Sequence, residues 1–439
     1  MKDPHWGLFV FLSFLITNQL LLTRSFHLGR LLYRFDDLLS ILLIGSLLCF
    51  SSISVAKDRQ QGITKTTTSP SLLRQDSQAE AQLIYIYSLI GAGKTRQALA
   101  ASEKLVKTFP NFQLAHVVHG DLLSSLIRPL QKLGDVPHTA TPELNDLREE
   151  SLQRIKALKE RPPADSIPSQ FLTLSKRNKH AIAVDTSRSR LYLFKNDNSQ
   201  MRLIADFYIS VGKLGVEKSL EGDQRTPLGV YFITSSLNPK SLKDLYGTGA
   251  LPINYPNPLD TRRGKTGSGI WLHGTPSNQF SRAPKASDGC VVLANPDLNY
   301  LLKEVSIRTT PVVISEKLEW VQKTGQKPEE LQFFETLQNW RLAKSSANFD
   351  KLMGFYSKDF SSYDKNLVQW ASVLGEEVAK NKGNPISLSE LSMIRWVDKA
   401  DTMVVTFDEL ANNAKSGKTK RQYWTREGKS WKIFFEGVI

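Results

Sequence analysis

Cysteine is almost missing from this chain. Only Cys49 and Cys290 occur in 439 residues, and Cys49 lies in an apolar N-terminal segment. A lone Cys290 in an exported chain has no intramolecular disulfide partner, so it is either inert core or a reactive thiol. Acidic charge is also short, with 43 Asp and Glu against 57 Lys and Arg and a net charge of +14. Such a surface is drawn to anionic partners, among them nucleic acid, phospholipid and the carboxylate-bearing bacterial wall. The basic residues are dispersed, and no nucleic-acid motif accompanies them, which argues against nucleic acid. Metal-ligand spacing is lacking as well. His116 and His119 share a helical face near Asp121, but no third ligand is readable, so neither a metal nor a cofactor is expected. A full phosphate-binding loop is absent too: in Gly91-Ala92-Gly93-Lys94-Thr95, Ser88 stands where that pattern needs its first glycine. A glycine turn between two helices is the plainer reading.

Long apolar runs are confined to the front. Leu8 to Leu22 is interrupted by Asn18 and Gln19, Leu38 to Val55 is cleaner, and Arg24, Arg30 and Arg34 lie between them. Residues 1–56 read as a secretory signal ending in the small-x-small site Ser54-Val55-Ala56, or as an inner-membrane anchor. Under the positive-inside tendency both readings put everything after Ala56 outside the cytoplasm, in the periplasm or on the outer face of the inner membrane.

Residues 57–77 are a polar linker. From 78 to 133 the pattern turns helical, with Ala81, Ile84, Tyr85 and Ser88 on one expected face and Ala98, Ala101, Leu105 and Val106 on another. Helix, turn, helix and a break at Pro110 resemble a tetratricopeptide unit. Residues 134–177, rich in proline around a charged helix from Glu143 to Arg161, read as a connector. Strand signals fill 178–317: Ala181 to Asp185, Leu191 to Phe194, Leu203 to Val211, Gly229 to Ile233, Gly269 to Leu272, Cys290 to Leu293 and Thr310 to Ile314. This is a mostly β body, barrel or sandwich, with one helix from Asn295 to Val305. Residues 328–439 give helices and then a four-strand meander, an α+β domain.

Cys290 closes the run Ser287-Asp288-Gly289-Cys290, and Trp271-Leu272-His273-Gly274 lies upstream. A thiol, an imidazole and flanking glycines are the parts of cysteine nucleophilic catalysis. In that order, with the opening hairpin, Thr226-Pro227-Leu228-Gly229-Val230-Tyr231 and then Asn295 and Asp297, the region resembles the L,D-transpeptidase (YkuD-type) catalytic domain. The family's histidine before Gly-Cys is Asp288 here, and Val292 stands where Arg or Asn is usual. Phrases such as Tyr423-Trp424 and Trp431-Lys432-Ile433 make 328–439 similar to the cone-shaped nuclear-transport-factor-like (SnoaL-like) domain. That pairing occurs in L,D-carboxypeptidases that shape helical cells.

The resemblance implies a YkuD-type fold and a cysteine acyl-enzyme acting on peptidoglycan stem peptides. Cys290 would be the nucleophile, His273 the base and the Gly274 carbonyl its orienter. Gly289 and Cys290 would offer oxyanion N–H groups. Ser287, Asp288, Arg282 and Lys285 are the substrate-side candidates; Ser287 and Asp288 also read as shaping the loop, Asp288 as a partner for a cationic substrate group, and Arg282 and Lys285 equally as a solvated loop. Transfer to an amine, as an L,D-transpeptidase, and hydrolysis, as an L,D-carboxypeptidase or amide hydrolase, both remain open. So does a non-catalytic wall-binding scaffold.

Overall fold

The computed structural model describes residues 78–439 apart from 136–141, 199, 323–327, 382 and 412–415. The expected signal or anchor, the polar linker and Cys49 lie outside the described residues.

Helices α1 (Gln78–Gly91), α2 (Thr95–Thr108) and α3 (Gln113–Ser124) form the helical region, and α4 (Pro142–Lys159) follows. The turn between α1 and α2 takes Gly93 at a φ of 70°, a left-handed conformation that glycine accepts readily. The buried face of α1 carries Ala79, Leu83, Ile86, Leu89 and Ile90. The face expected from Ala81, Ile84, Tyr85 and Ser88 is therefore the outer one. The helix is apolar on most sides, so its period is sound while its phase is ambiguous. His116 and His119 each bond locally, to the Pro110 carbonyl at 2.9 Å and to Ser102 Oγ at 2.9 Å.

The segment read as a connector is built into the fold. Besides α4 it supplies β1 (Ser166–Pro168) and β2 (Phe171–Thr173). On α4, Arg154 is 2% exposed and holds Glu80 of α1 at 2.9 Å and Glu150 one turn back at 2.7 Å. Glu80 also takes Arg190 at 2.8 Å, which fixes the helices to the central sheet. Those two guanidinium groups hold the Glu80 carboxyl down at about 2 although burial alone would raise it.

The central sheet contains β3 (His180–Asp185), β4 (Arg190–Asp197), β5 (Gln200–Gly212), β6 (Gly229–Phe232), β7 (Ala250–Pro252), β8 (Trp271–His273), β9 (Lys285–Ser287), β10 (Val291–Leu293) and β11 (Pro311–Ser315). Its order is β6-β11-β3-β4-β5-β10-β8-β7, with β9 alongside β5. The β3–β4 turn is closed by Asp185, whose carboxylate accepts the Arg188 N–H at 3.1 Å. Helix α5 (Pro258–Arg262) precedes β8, and α6 (Asn295–Glu304) follows β10, with proline in the first turn of each, where a missing N–H costs nothing. Strand β12 (Trp320–Gln322) pairs with β1.

Both faces of this sheet are covered. Ile182, Val184, Leu191 and Leu193 point into one core with Leu272, Val291 and Leu293. Ala181, Ala183, Tyr192 and Phe194 point the other way, into a core shared with Ile394, Trp396, Val404 and Tyr423. Those four belong to the C-terminal domain, made of α7 (Pro328–Ser345), α8 (Phe349–Met353), the short pair β13 (Ser361–Ser362) and β14 (Lys365–Asn366), α9 (Leu367–Asn381) and strands β15 (Ile386–Val397), β16 (Asp401–Ala411), β17 (Lys418–Glu427) and β18 (Ser430–Val438). The meander is ordered β18-β17-β16-β15, and β2 completes it as a fifth strand. Its helices close over a second core around Phe333, Trp340, Phe407 and Trp424.

Candidate active site

Strands β8 and β10 run parallel, with Val291 opposite Leu272 and Val292 opposite His273. Leu272, Val291 and Leu293 face the core. Alternation then turns His273, and Cys290 one residue before β10, to the opposite face. Carrying the register back one residue sets Cys290 beside Trp271. Its Cα lies about 8 Å from that of His273, from the strand spacing and two residues of rise, a gap within the combined reach of a thiol and an imidazole side chain.

The His273 ring is fixed on two sides. Its Nδ1 lies 2.7 Å from the Gly274 carbonyl. A carbonyl only accepts, so Nδ1 carries the hydrogen and Nε2 keeps its lone pair. Tyr246 packs edge-on at 5.1 Å between ring centroids. Burial pushes the imidazole down to about 4, the Gly274 bond opposes this, and the Arg282 charge adds to it.

Gly274 is required by a close approach. A Cβ there would lie 2.1 Å from Asn295 Oδ1. Asn295 is a brace: its Oδ1 accepts from Thr248 N–H at 3.1 Å and its Nδ2 donates to the Thr275 carbonyl at 2.9 Å. The sequence motif had flagged Asn295 without its purpose, and Thr248 had carried no signal.

Cys290 is half-buried and unpaired. Burial pushes its thiol up to about 11, and the Trp271 N–H, Arg282 and Lys218 pull against that. In the resting arrangement the thiol donates to the Gly269 carbonyl at 3.5 Å. Gly289 is held at a φ of 124°, and a Cβ there would meet the Arg225 carbonyl at 2.7 Å. Thr226 Oγ donates to the Gly289 carbonyl at 2.9 Å and itself accepts the Gly212 N–H at 2.9 Å. Thr226, the first residue of the Thr-Pro-x-Gly element, thus aims the peptide that joins Gly289 to Cys290.

The Gly289 N–H donates to Ser287 Oγ at 3.1 Å, so in this arrangement it is not free to meet an oxyanion. Ser287 is 3% exposed and also donates to the Cys290 carbonyl at 2.6 Å, an arrangement that suits the loop-shaping role expected of it. Asp288 is exposed and takes Lys213 at 2.9 Å and Gln224 at 3.1 Å. Lys285 is exposed on β9, while Arg282 is half-buried. Among the described residues, no group of three or more His, Cys, Asp or Glu side chains gathers to hold a metal ion.

The family described as the YkuD L,D-transpeptidase catalytic domain matches residues 179–314. The Cds6 C-terminal NTF2-like domain matches residues 332–437. No curated protein matches the chain. Among solved structures, Bd1075 of Bdellovibrio bacteriovorus is 26% identical, covers 62% of this chain and 98% of its own, and has a TM-score of 0.53. The helical cell shape determining protein Pgp2 from Campylobacter jejuni has the same fold, at 24% identity, 62% of this chain, 95% of its own and a TM-score of 0.50.

Proposed function

We propose that this chain, which carries an L,D-transpeptidase catalytic domain joined to an NTF2-like domain, cleaves peptidoglycan stem peptides through an acyl-enzyme on Cys290. The observation that carries the reading is the common face of Cys290 and His273 on paired strands, with Nδ1 tied to the Gly274 carbonyl. We place the reaction outside the cytoplasm on the strength of the N-terminal sequence pattern.

Burial favours the neutral form of both groups, so the resting pair is thiol and imidazole. The hydrogen on sulfur turns from the Gly269 carbonyl towards His273 Nε2. It passes to that nitrogen as sulfur bonds to the peptide carbonyl carbon. The carbonyl oxygen becomes an oxyanion facing the Cys290 N–H, a contact worth about 3–4 kcal/mol. The imidazolium, held by Gly274, then gives its proton to the leaving amine as the C–N bond breaks. An amine or water next attacks the thioester, losing its proton to His273, and the thiol is restored. The amine route makes a crosslink, and the water route shortens the stem.

Purified protein incubated with isolated sacculi tests this by mass spectrometry of the muropeptides. New crosslinks identify an L,D-transpeptidase, and shortened stems identify an L,D-carboxypeptidase. A profile the same with wild type as with Cys290→Ala would leave the chain as a wall-binding scaffold.

A further inference from the structure

Between His273 and Cys290 the chain crosses a loop that the helical region grips at several points. The Phe280 ring enters the helical core, 4.4 Å from Phe112 between centroids. The Phe280 N–H donates to the Asn111 carbonyl at 2.9 Å, Asn111 Nδ2 to the Ser277 carbonyl at 3.2 Å and Gln113 Nε2 to the Asn278 carbonyl at 3.1 Å. Ser281 Oγ donates to Glu150 at 2.7 Å, the carboxylate already bound by Arg154. The next residue is Arg282. Its carbonyl accepts from the Tyr208 hydroxyl at 2.9 Å, which is itself covered by the Arg154 guanidinium at 4.0 Å from the ring centroid.

The backbone on both sides of Arg282 is thus tied down, while its half-buried guanidinium has no hydrogen bond or ion pair of its own among the described residues. Neighbouring buried cations are committed. Arg154 and Arg190 bind Glu80, and Lys218 binds Asp223 at 2.9 Å and the Leu220 carbonyl at 2.8 Å. Asp288, whose charge Arg282 feels, is taken by Lys213 and Gln224. The Arg282 charge reaches both Cys290 and His273. A desolvated guanidinium beside the reacting thiol with no anion is a fork awaiting one, and its planar donors match a carboxylate.

We propose that Arg282 is a specificity-determining residue that binds the free carboxylate of the D-residue released from the scissile bond. This rests on the reading of Cys290 as a stem-peptide nucleophile. The helical region, by fixing residues 277–282, sets where that carboxylate sits.

The test uses the full chain with Cys290→Ala, which binds without turnover, and calorimetric titration with a stem tetrapeptide as free acid and as C-terminal amide. The acid binds about tenfold or more tighter than the amide, as a charge-assisted pair predicts. Adding Arg282→Gln brings the two within about twofold, and Arg282→Lys restores part of the preference. A preference that survives Arg282→Gln, or none in the parent, overturns the proposal. Wild-type turnover of these peptides separates the two ideas. Turnover with no acid preference sinks the Arg282 role alone, whereas no turnover of either peptide sinks the reading of the site as well.

Discussion

An ordinary cysteine, with a pKa near 8.5, is about 3% thiolate at pH 7. Burial lifts the Cys290 thiol to about 11, which leaves about one molecule in ten thousand ionised at that pH. The higher pKa makes each thiolate a better nucleophile by about tenfold, so part of the roughly 300-fold deficit returns. Alkylation of Cys290 by iodoacetamide at pH 7 is therefore expected about 30-fold slower than that of a free cysteine. Its rate climbs tenfold per pH unit well past pH 9. The measurement uses a Cys49→Ser background and locates the adduct by mass spectrometry across pH 5–10. His273→Ala leaves the slope in place, because the buried imidazole, down at about 4, holds no resting charge to stabilise a thiolate. A rate that levels off below pH 7 in wild type and not in His273→Ala would mean a standing thiolate–imidazolium pair, and the neutral-pair mechanism would be wrong.

Thr226→Val keeps the side chain's shape and removes the hydroxyl that bridges the Gly212 N–H and the Gly289 carbonyl. Loss of about 1–3 kcal/mol in urea unfolding is expected, with kcat falling more than KM rises, because the donor it aims acts on the oxyanion. Glu80→Ala leaves Arg154 with Glu150 alone and Arg190 with only the more distant Asp206, and should cost about 2–4 kcal/mol by the same measurement; an effect under about 1 kcal/mol would contradict the buried network. Asp121 is pushed up to about 6 by burial. A raised folded pKa gives stability that is complete below pH 3.8 and lost as pH rises through 6, about 2–3 kcal/mol in all. Asp121→Asn, which still accepts the Gly134 N–H, should flatten that slope between pH 4 and 7, and an unchanged slope would refute the assignment.

Much of the site was legible because its chemistry is written in short order. His273, Gly274 and Cys290 stand in a spaced motif, and β8 and β10 were visible as apolar runs. What escaped depended on partners far away in sequence. Thr226 reads as one residue of a short motif, and only the fold shows its hydroxyl bridging Gly212 and Gly289, the latter 63 residues on. Glu80 and Arg154 look like ordinary helix-surface charges until they meet 74 residues apart. The shared core did leave a trace. The apolar run Ala181-Ile182-Ala183-Val184 does not alternate, which is the mark of a strand covered on both faces. Strand β2 is three residues long, so its place at the edge of a distant meander had no local signature.

The double covering of β3 and β4 has a consequence for where the thiol can go. The cone is seated on the back of the sheet whose other end bears Cys290, with Phe171 of β2 also buried in the seam. A tethered pair of modules would sample many relative poses and meet targets at many separations. This pair holds the sulfur at one fixed distance and direction from every surface of the cone.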